Sequence, residues 1–157
     1  WSEIDLEAGV WTIPSQRMKK RREHSVPLST QAITILSEAK KLSAHSQFVF
    51  SSVRTPTRPM SENTVNAALR RLGYTSEEMT AHGFRGTATT LLMASGKWSR
   101  EIVKKALSHK EGDETWAAYE RGDHWPQRVE MAQWWSDYLD QLRKGADIVQ
   151  FPEREAV

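Results

Sequence analysis

The sequence predicts an α+β fold that is mainly α-helical, with a small antiparallel sheet at its N-terminal side. Three observations lead there. Short β-branched and aromatic runs broken by turn residues fill the first thirty positions. From residue 30 onward, apolar residues recur at helical spacing in separate segments bounded by Gly, Ser and Thr. At 157 residues, 38% of them hydrophobic and seven of them tryptophan, the chain has the size and apolar content of one globular domain.

In order along the chain, Ile4 and Leu6 alternate with acidic neighbours, "EAG" at 7–9 is a turn signal, and "VWTIP" at 10–14 is β-branched and aromatic. "HSVPLS" at 24–29 reads as a further strand ending near Pro27, which makes "SQRMKKRRE" at 15–23 the tip of a hairpin. The densest basic run, "RMKKRR" at 17–22, is thereby projected from a sheet edge, and five of its six positions are cationic. Standing alone, such a run is a solvated turn.

Thr30 is the expected N-cap of a helix to about residue 43, with Ala32, Leu36, Ala39 and Ser43 near one face and Ile33 and Ile35 widening it. "QFVFSS" at 47–52 is a short apolar run, and "RTPTRPMS" at 54–61 is expected to be a proline-punctuated loop. Ser61 then caps a helix whose apolar side is Val65, Ala68, Leu69 and Leu72, and Gly73 stops it. In "AHGFRGTATTLL", residues 81–92, Phe84, Ala88, Leu91 and Leu92 form the expected buried stripe, while His82, Arg85 and Thr89 lie on another face. Gly96 ends that helix. Ser99 caps the next, with Ile102, Val103, Ala106 and Leu107, and Gly112 separates it from a short segment around Trp116 and Tyr119. A long helix follows from about Trp125 to Leu142, with Met131, Trp135, Tyr138 and Leu142 as its core stripe; the tail beyond Arg143 carries the apolar patch "IVQF".

Composition narrows the chemistry. Without cysteine there are no disulfides, Cys-ligated zinc or thiol nucleophiles. His82, His109 and His124 lie far apart with no H-E-x-x-H, so no metal site is expected. No stretch approaches a membrane span. The start has neither an initiator Met nor the pattern of a signal peptide, which suggests a stretch of a longer protein. Net charge is only +2, with a pI of about 9.0 and a mean hydropathy of −0.64, so any attraction to an anionic partner lies in where the charges sit.

His82 and Arg85, one turn apart, can address one object. A guanidinium fork matches phosphate oxygens, and imidazole moves protons near neutrality, so the pair suits a phosphate. Three further residues draw notice: His109 in "LSH", Tyr119 in "WAAYERGD" and Lys19 in the hairpin. Each also has an ordinary explanation, as a helix C-terminal histidine, a half-buried tyrosine and a solvated lysine.

Taken together and in order, "EIDLEAGVWTIP", "RMKKRREHSVPLS", "TAHGFRGTATTLL", "LSH" and "YERGD", followed by the Trp-rich "MAQWWSDYLD", resemble the tyrosine recombinases, and among them prophage integrases of the P4-like kind, over nearly the whole chain. The resemblance implies that residues 1–157 are a C-terminal catalytic domain, its sheet packed on a helical catalytic core, with 143–157 as a tail passed to a neighbouring protomer or folded back. It implies that the first catalytic arginine and the N-terminal DNA-binding domains precede "WSEIDL", so that this stretch alone is weakly active or inactive.

The implied activity is site-specific recombination, integrating and excising a prophage, with no metal or other cofactor. Tyr119 would be the nucleophile that forms a 3′-phosphotyrosyl link. Arg85 would neutralise the non-bridging oxygens, His82 would be a proton-transfer partner or phosphate donor, and His109 would donate to the phosphate. Lys19 would protonate the departing 5′-oxygen, with Lys20 its nearest rival because hairpin registers slip by one. Duplex affinity would come from phosphate contacts by Arg17, Lys20, Arg21, Arg22, Arg54, Arg58, Arg70 and Arg71. The implied partners are double-stranded attachment-site DNA, other protomers in a tetramer on that DNA, and DNA-bending accessory proteins, in the bacterial cytoplasm at the nucleoid and away from any membrane. The alternatives are an inert DNA-binding module of the same fold and an enzyme like the type IB topoisomerases.

Overall fold

The computed structural model describes residues 1–18, 21–107 and 124–145. Lys19, Lys20, His109, Gly112, Trp116, Tyr119 and the tail from residue 146 lie outside the described residues. The chain groups into two compact units, Trp1–Thr87 and Ala88–Val157. It is α+β and mainly helical, as the sequence predicts.

In the first unit β1 (Ile4–Asp5), β2 (Val10–Ile13) and β3 (His24–Pro27) form an antiparallel sheet in the order β1-β2-β3, with Trp11 opposite both Ile4 and Val26 and Ile13 opposite His24. The β1–β2 turn closes on Asp5, whose Oδ1 accepts from the N–H groups of Glu7 and Ala8 at 3.0 and 2.8 Å. Gly9 follows at φ +66, and a Cβ there would stand 3.4 Å from Ile33 Cδ1. The left-handed backbone conformation calls for glycine.

The helix α1 (Thr30–Ser43) is capped one residue earlier than expected: the Ser29 hydroxyl, not Thr30, accepts from the Ala32 N–H at 3.2 Å. Thr30 is the first helical residue, one position too late to serve the orphan donors. At the other end Ser43 Oγ donates to Ala39 O and Val49 O, at 3.0 and 2.8 Å. The proline-punctuated stretch is not a loop. β5 (Thr55–Pro59) pairs antiparallel with β4 (Ser51–Ser52) in a ribbon, which tolerates Pro56 and Pro59 because each of its strands has an outer edge with no ladder to complete.

α2 (Thr64–Arg71) starts from Asn63 rather than Ser61, and of its expected apolar side only Leu69 is buried. Val65 and Leu72 are exposed, so the periodicity overstated that face. Gly73, at φ +95, ends the helix as anticipated.

α3 (Gly83–Ala94) crosses from one unit into the other. In the second unit Leu92, Val103 and Met131 make the buried core, from α3, from α4 (Arg100–Ala106) and from α5 (Trp125–Arg143) respectively. Ser99 caps α4 as expected, accepting from the Ile102 N–H at 3.3 Å. Trp134 stacks on Tyr138 with ring centroids 5.5 Å apart and meets Trp98 edge-on at 6.4 Å. The predicted stripe of α5 is right at Met131 but ends early, since Leu142 is 48% exposed. Arg128 is 1% exposed, its guanidinium 5.4 Å from the Trp125 ring.

Candidate functional site

The approach to α3 is built by α2. Asn66 and Arg70 are one turn apart on α2 and both hold the segment ahead of α3: Asn66 Oδ1 accepts from the Ala81 N–H at 2.8 Å, and Arg70 Nη2 donates to Met79 O. Before that, Thr75 and Glu78 form a reciprocal capping box, with Thr75 N–H donating to Glu78 Oε2 at 2.7 Å and Glu78 N–H to Thr75 Oγ1 at 3.3 Å. The Thr75 N–H is also the main reason the Glu78 carboxyl is held below its ordinary range. A Cβ at Gly83 would lie 2.9 Å from Met79 Sδ, so a side chain there would require the flexible Met79 thioether to shift.

His82 therefore stands just ahead of the first helical residue and is exposed. Its carbonyl accepts from the Arg85 N–H at 3.1 Å, which puts Arg85 in the first turn of α3, half-buried. The first turn carries no acidic residue, so Arg85 adds to the positive end of the helix dipole without opposition from its own turn. One expectation fails here. Phe84 is 50% exposed rather than packed in a core stripe, since position 84 belongs to the helix start and the burial of α3 is concentrated at Leu92.

At the hairpin tip, a 3-10 turn (Ser15–Arg17) leads out of β2, and Arg21, at φ +49, returns the chain toward β3. Arg17 Nη1 lies 2.7 Å from both carboxylate oxygens of Glu3, and Trp11 Nε1 donates to the same carboxylate at 3.1 Å. Arg17, though exposed like Arg21 and Arg22, is thus tied to the sheet. The Arg17 contact, with Trp11 second, holds the Glu3 carboxyl below its ordinary 4.5. A depressed carboxylate stabilises the fold fully above that ordinary value and ceases to do so as the pH falls through the lowered one. Glu3→Gln is accordingly expected to lower the melting temperature at about pH 7, with the gap to wild type closing at a pH well below the ordinary 4.5. Equal gaps at both pH values would mean that the carboxylate charge contributes nothing.

The other expected phosphate contacts divide similarly. Arg54, Arg58 and Arg71 are exposed, while Arg70 is half-buried and engaged with Met79. Asn66, Arg70 and Gly83 were not singled out as supports of the His82–Arg85 turn; the i, i+4 spacing of Asn66 and Arg70 was the available signal. A groove of about 590 Å³ is lined by Trp1, Trp11, Leu36, Phe48 and Met60 and also by the mutually paired Glu3 and Arg17, an apolar setting unsuited to a phosphate. Among the described residues no group of three or more His, Asp or Glu could hold a metal ion, and no helix is long and apolar enough to cross a membrane.

Comparison with known proteins bears on this turn and on the chain around it. Protein IntB of Escherichia coli is 43% identical over 158 aligned positions, covering 92% of this chain and 40% of that protein. The integrase of Enterobacteria phage P4 is 41% identical, covering 91% of this chain and 36% of its own length. The prophage integrase IntA of Escherichia coli is 40% identical, covering 95% and 36%. The chain therefore spans about two fifths of the length of these curated relatives. No solved structure matches it. The pattern of the phage integrase family matches residues 1–124, a span that includes the hairpin and the His82–Arg85 turn. The chain belongs to the phage integrase family.

Proposed function

We propose that the chain is the catalytic domain of a tyrosine site-specific recombinase that integrates and excises a prophage. The observation that carries this is the family match across residues 1–124 together with a helix start bearing His82 and Arg85 and no carboxylate. The Tyr119 oxygen attacks the scissile phosphorus, the bond from phosphorus to the 5′-oxygen breaks, and a 3′-phosphotyrosyl link forms. Lys19, or Lys20 in the adjacent register, gives its proton to the departing 5′-oxygen. The covalent link stores the broken bond until a 5′-hydroxyl from a partner strand reverses the step.

As the phosphorus becomes five-coordinate, Arg85 and the N-terminus of α3 stabilise the charge on the non-bridging oxygens. His82 takes the tyrosine proton or donates to the phosphate, and His109 donates a hydrogen bond to it. The reaction takes place on attachment-site DNA in the bacterial cytoplasm, within a tetramer of protomers assisted by DNA-bending proteins.

The test is a denaturant-resistant adduct. The full-length protein, mixed with a nicked duplex carrying its attachment site, is expected to form one, and Tyr119→Phe is expected to abolish it while duplex binding persists. Binding without adduct in the wild-type protein would indicate an inert module, and cutting without adduct would indicate hydrolytic chemistry; either result overturns the reading.

A further inference from the structure

The β4–β5 ribbon stands apart from the three-stranded sheet: its strands pair only with each other, and the connection between Ser52 and Thr55 is the two residues Val53 and Arg54. Val53 is wholly exposed. From Ala39 to Ser61 the sequence holds no carboxylate but has four cations, Lys40, Lys41, Arg54 and Arg58. Thr57, Arg58 and Pro59 are exposed, and the hydroxyls of Thr55 and Thr57 lie 2.9 Å apart. The ribbon is tied down along its length: Ser46 Oγ donates to Pro56 O at 2.6 Å, two residues from Arg54, and at the base the Met60 N–H donates to Phe50 O at 2.8 Å.

These features select a partner. Pro56 and Pro59 remove N–H donors from β5, so a further protein strand gains little by pairing there. What remains is side-chain recognition by guanidinium, hydroxyl and one exposed branched methyl group. The major groove of DNA, about 12 Å wide and about 8.5 Å deep, admits a two-stranded ribbon. Ser51 pairs with Pro59 and the adjacent Ser52 with Thr55, so the register skips three residues of β5 and Arg58 stands beside the base of the ribbon, behind the Val53–Arg54 apex. With the apex turned into the groove, Arg58, next to the basal Ser51–Pro59 pair, is left nearer the phosphates.

Valine separates this arrangement from simple phosphate binding. Phosphate oxygens offer nothing to an isopropyl group, whereas the thymine methyl on the groove floor does.

We infer that the β4–β5 ribbon enters the major groove and that its apex reads base edges. The Arg54 guanidinium donates to guanine O6 and N7, Val53 packs on a neighbouring thymine methyl, and Arg58 holds a phosphate. This rests on the chain being a DNA-binding protein and adds the element that tells one sequence from another.

The experiment selects from a pool of duplexes randomised over about 30 base pairs, using full-length wild-type protein, Arg54→Ala, Val53→Ser and Arg58→Ala, each first checked for wild-type urea stability. Wild type is expected to enrich a motif. Arg54→Ala and Val53→Ser lose preference at one or two adjacent base pairs, with discrimination there falling about 5- to 150-fold for Arg54→Ala, and keep the rest of the motif and the salt dependence. Arg58→Ala weakens binding to all sequences alike and reduces the salt slope by about 0.9. The inference is overturned if Arg54→Ala behaves like Arg58→Ala, or if neither apex variant changes the motif. A wild-type protein that binds no duplex would overturn the DNA-binding reading beneath it, a result distinct from both.

Discussion

Arg85→Ala in the full-length protein is expected to slow formation of the covalent DNA adduct about 100- to 1000-fold, equivalent to about 2.7–4 kcal/mol of lost transition-state stabilisation, with duplex affinity little changed. The reasoning is differential. Charge on the non-bridging oxygens grows only as the fifth bond to phosphorus forms, so a fixed donor at that place acts on the barrier more than on the ground state. Arg85 sits in the first turn of α3, next to a segment clamped by Asn66 and Arg70, which is the preorganisation such a donor requires. Arg85→Lys keeps the charge but loses the planar fork and is expected to fall between the two. Adduct formation on a nicked duplex measures the rate, and fluorescence anisotropy measures the affinity. An unchanged rate, or a loss wholly accounted for by binding, would remove Arg85 from the reaction.

Leu92→Ala is expected to destabilise the chain by about 2–5 kcal/mol in urea unfolding, while Leu142→Ala stays within about 0.5 kcal/mol. Both leucines lie on apolar stripes that look equivalent in the sequence. Leu92 is 4% exposed against Val103 and Met131, so truncation leaves a cavity among atoms that cannot all close in. Leu142, the penultimate residue of α5, already meets water on half its surface. Equal costs for the two would mean that the periodic stripe, not the enclosed cluster, carries the stability.

That pair also marks what could be read from residues alone. The hairpin from Val10 to Pro27 was legible because β-branched alternation and turn residues act over a few positions, and Gly73, Gly96 and Ser99 mark helix ends by local backbone chemistry. The burial of Phe84, Val65, Leu72 and Leu142 was overestimated, because periodicity says which residues share a face and not how far along the helix a neighbour reaches. β5 was hidden behind its prolines, which only a ribbon with two outer edges accommodates. Arg128 was invisible for the opposite reason, since arginine is almost never fully enclosed. At the candidate site, the spacing of His82 and Arg85 pointed to a phosphate; that His82 precedes the helix, and that Asn66 and Arg70 brace it from α2, needed three dimensions.

His124 enters α5 at φ +47, a left-handed conformation that costs an L-residue with a full side chain about 1–2 kcal/mol. That cost is carried in the native state and offset by the contacts of the helix it leads into, so the threshold for unseating the start of α5 is lower than its packing alone would set.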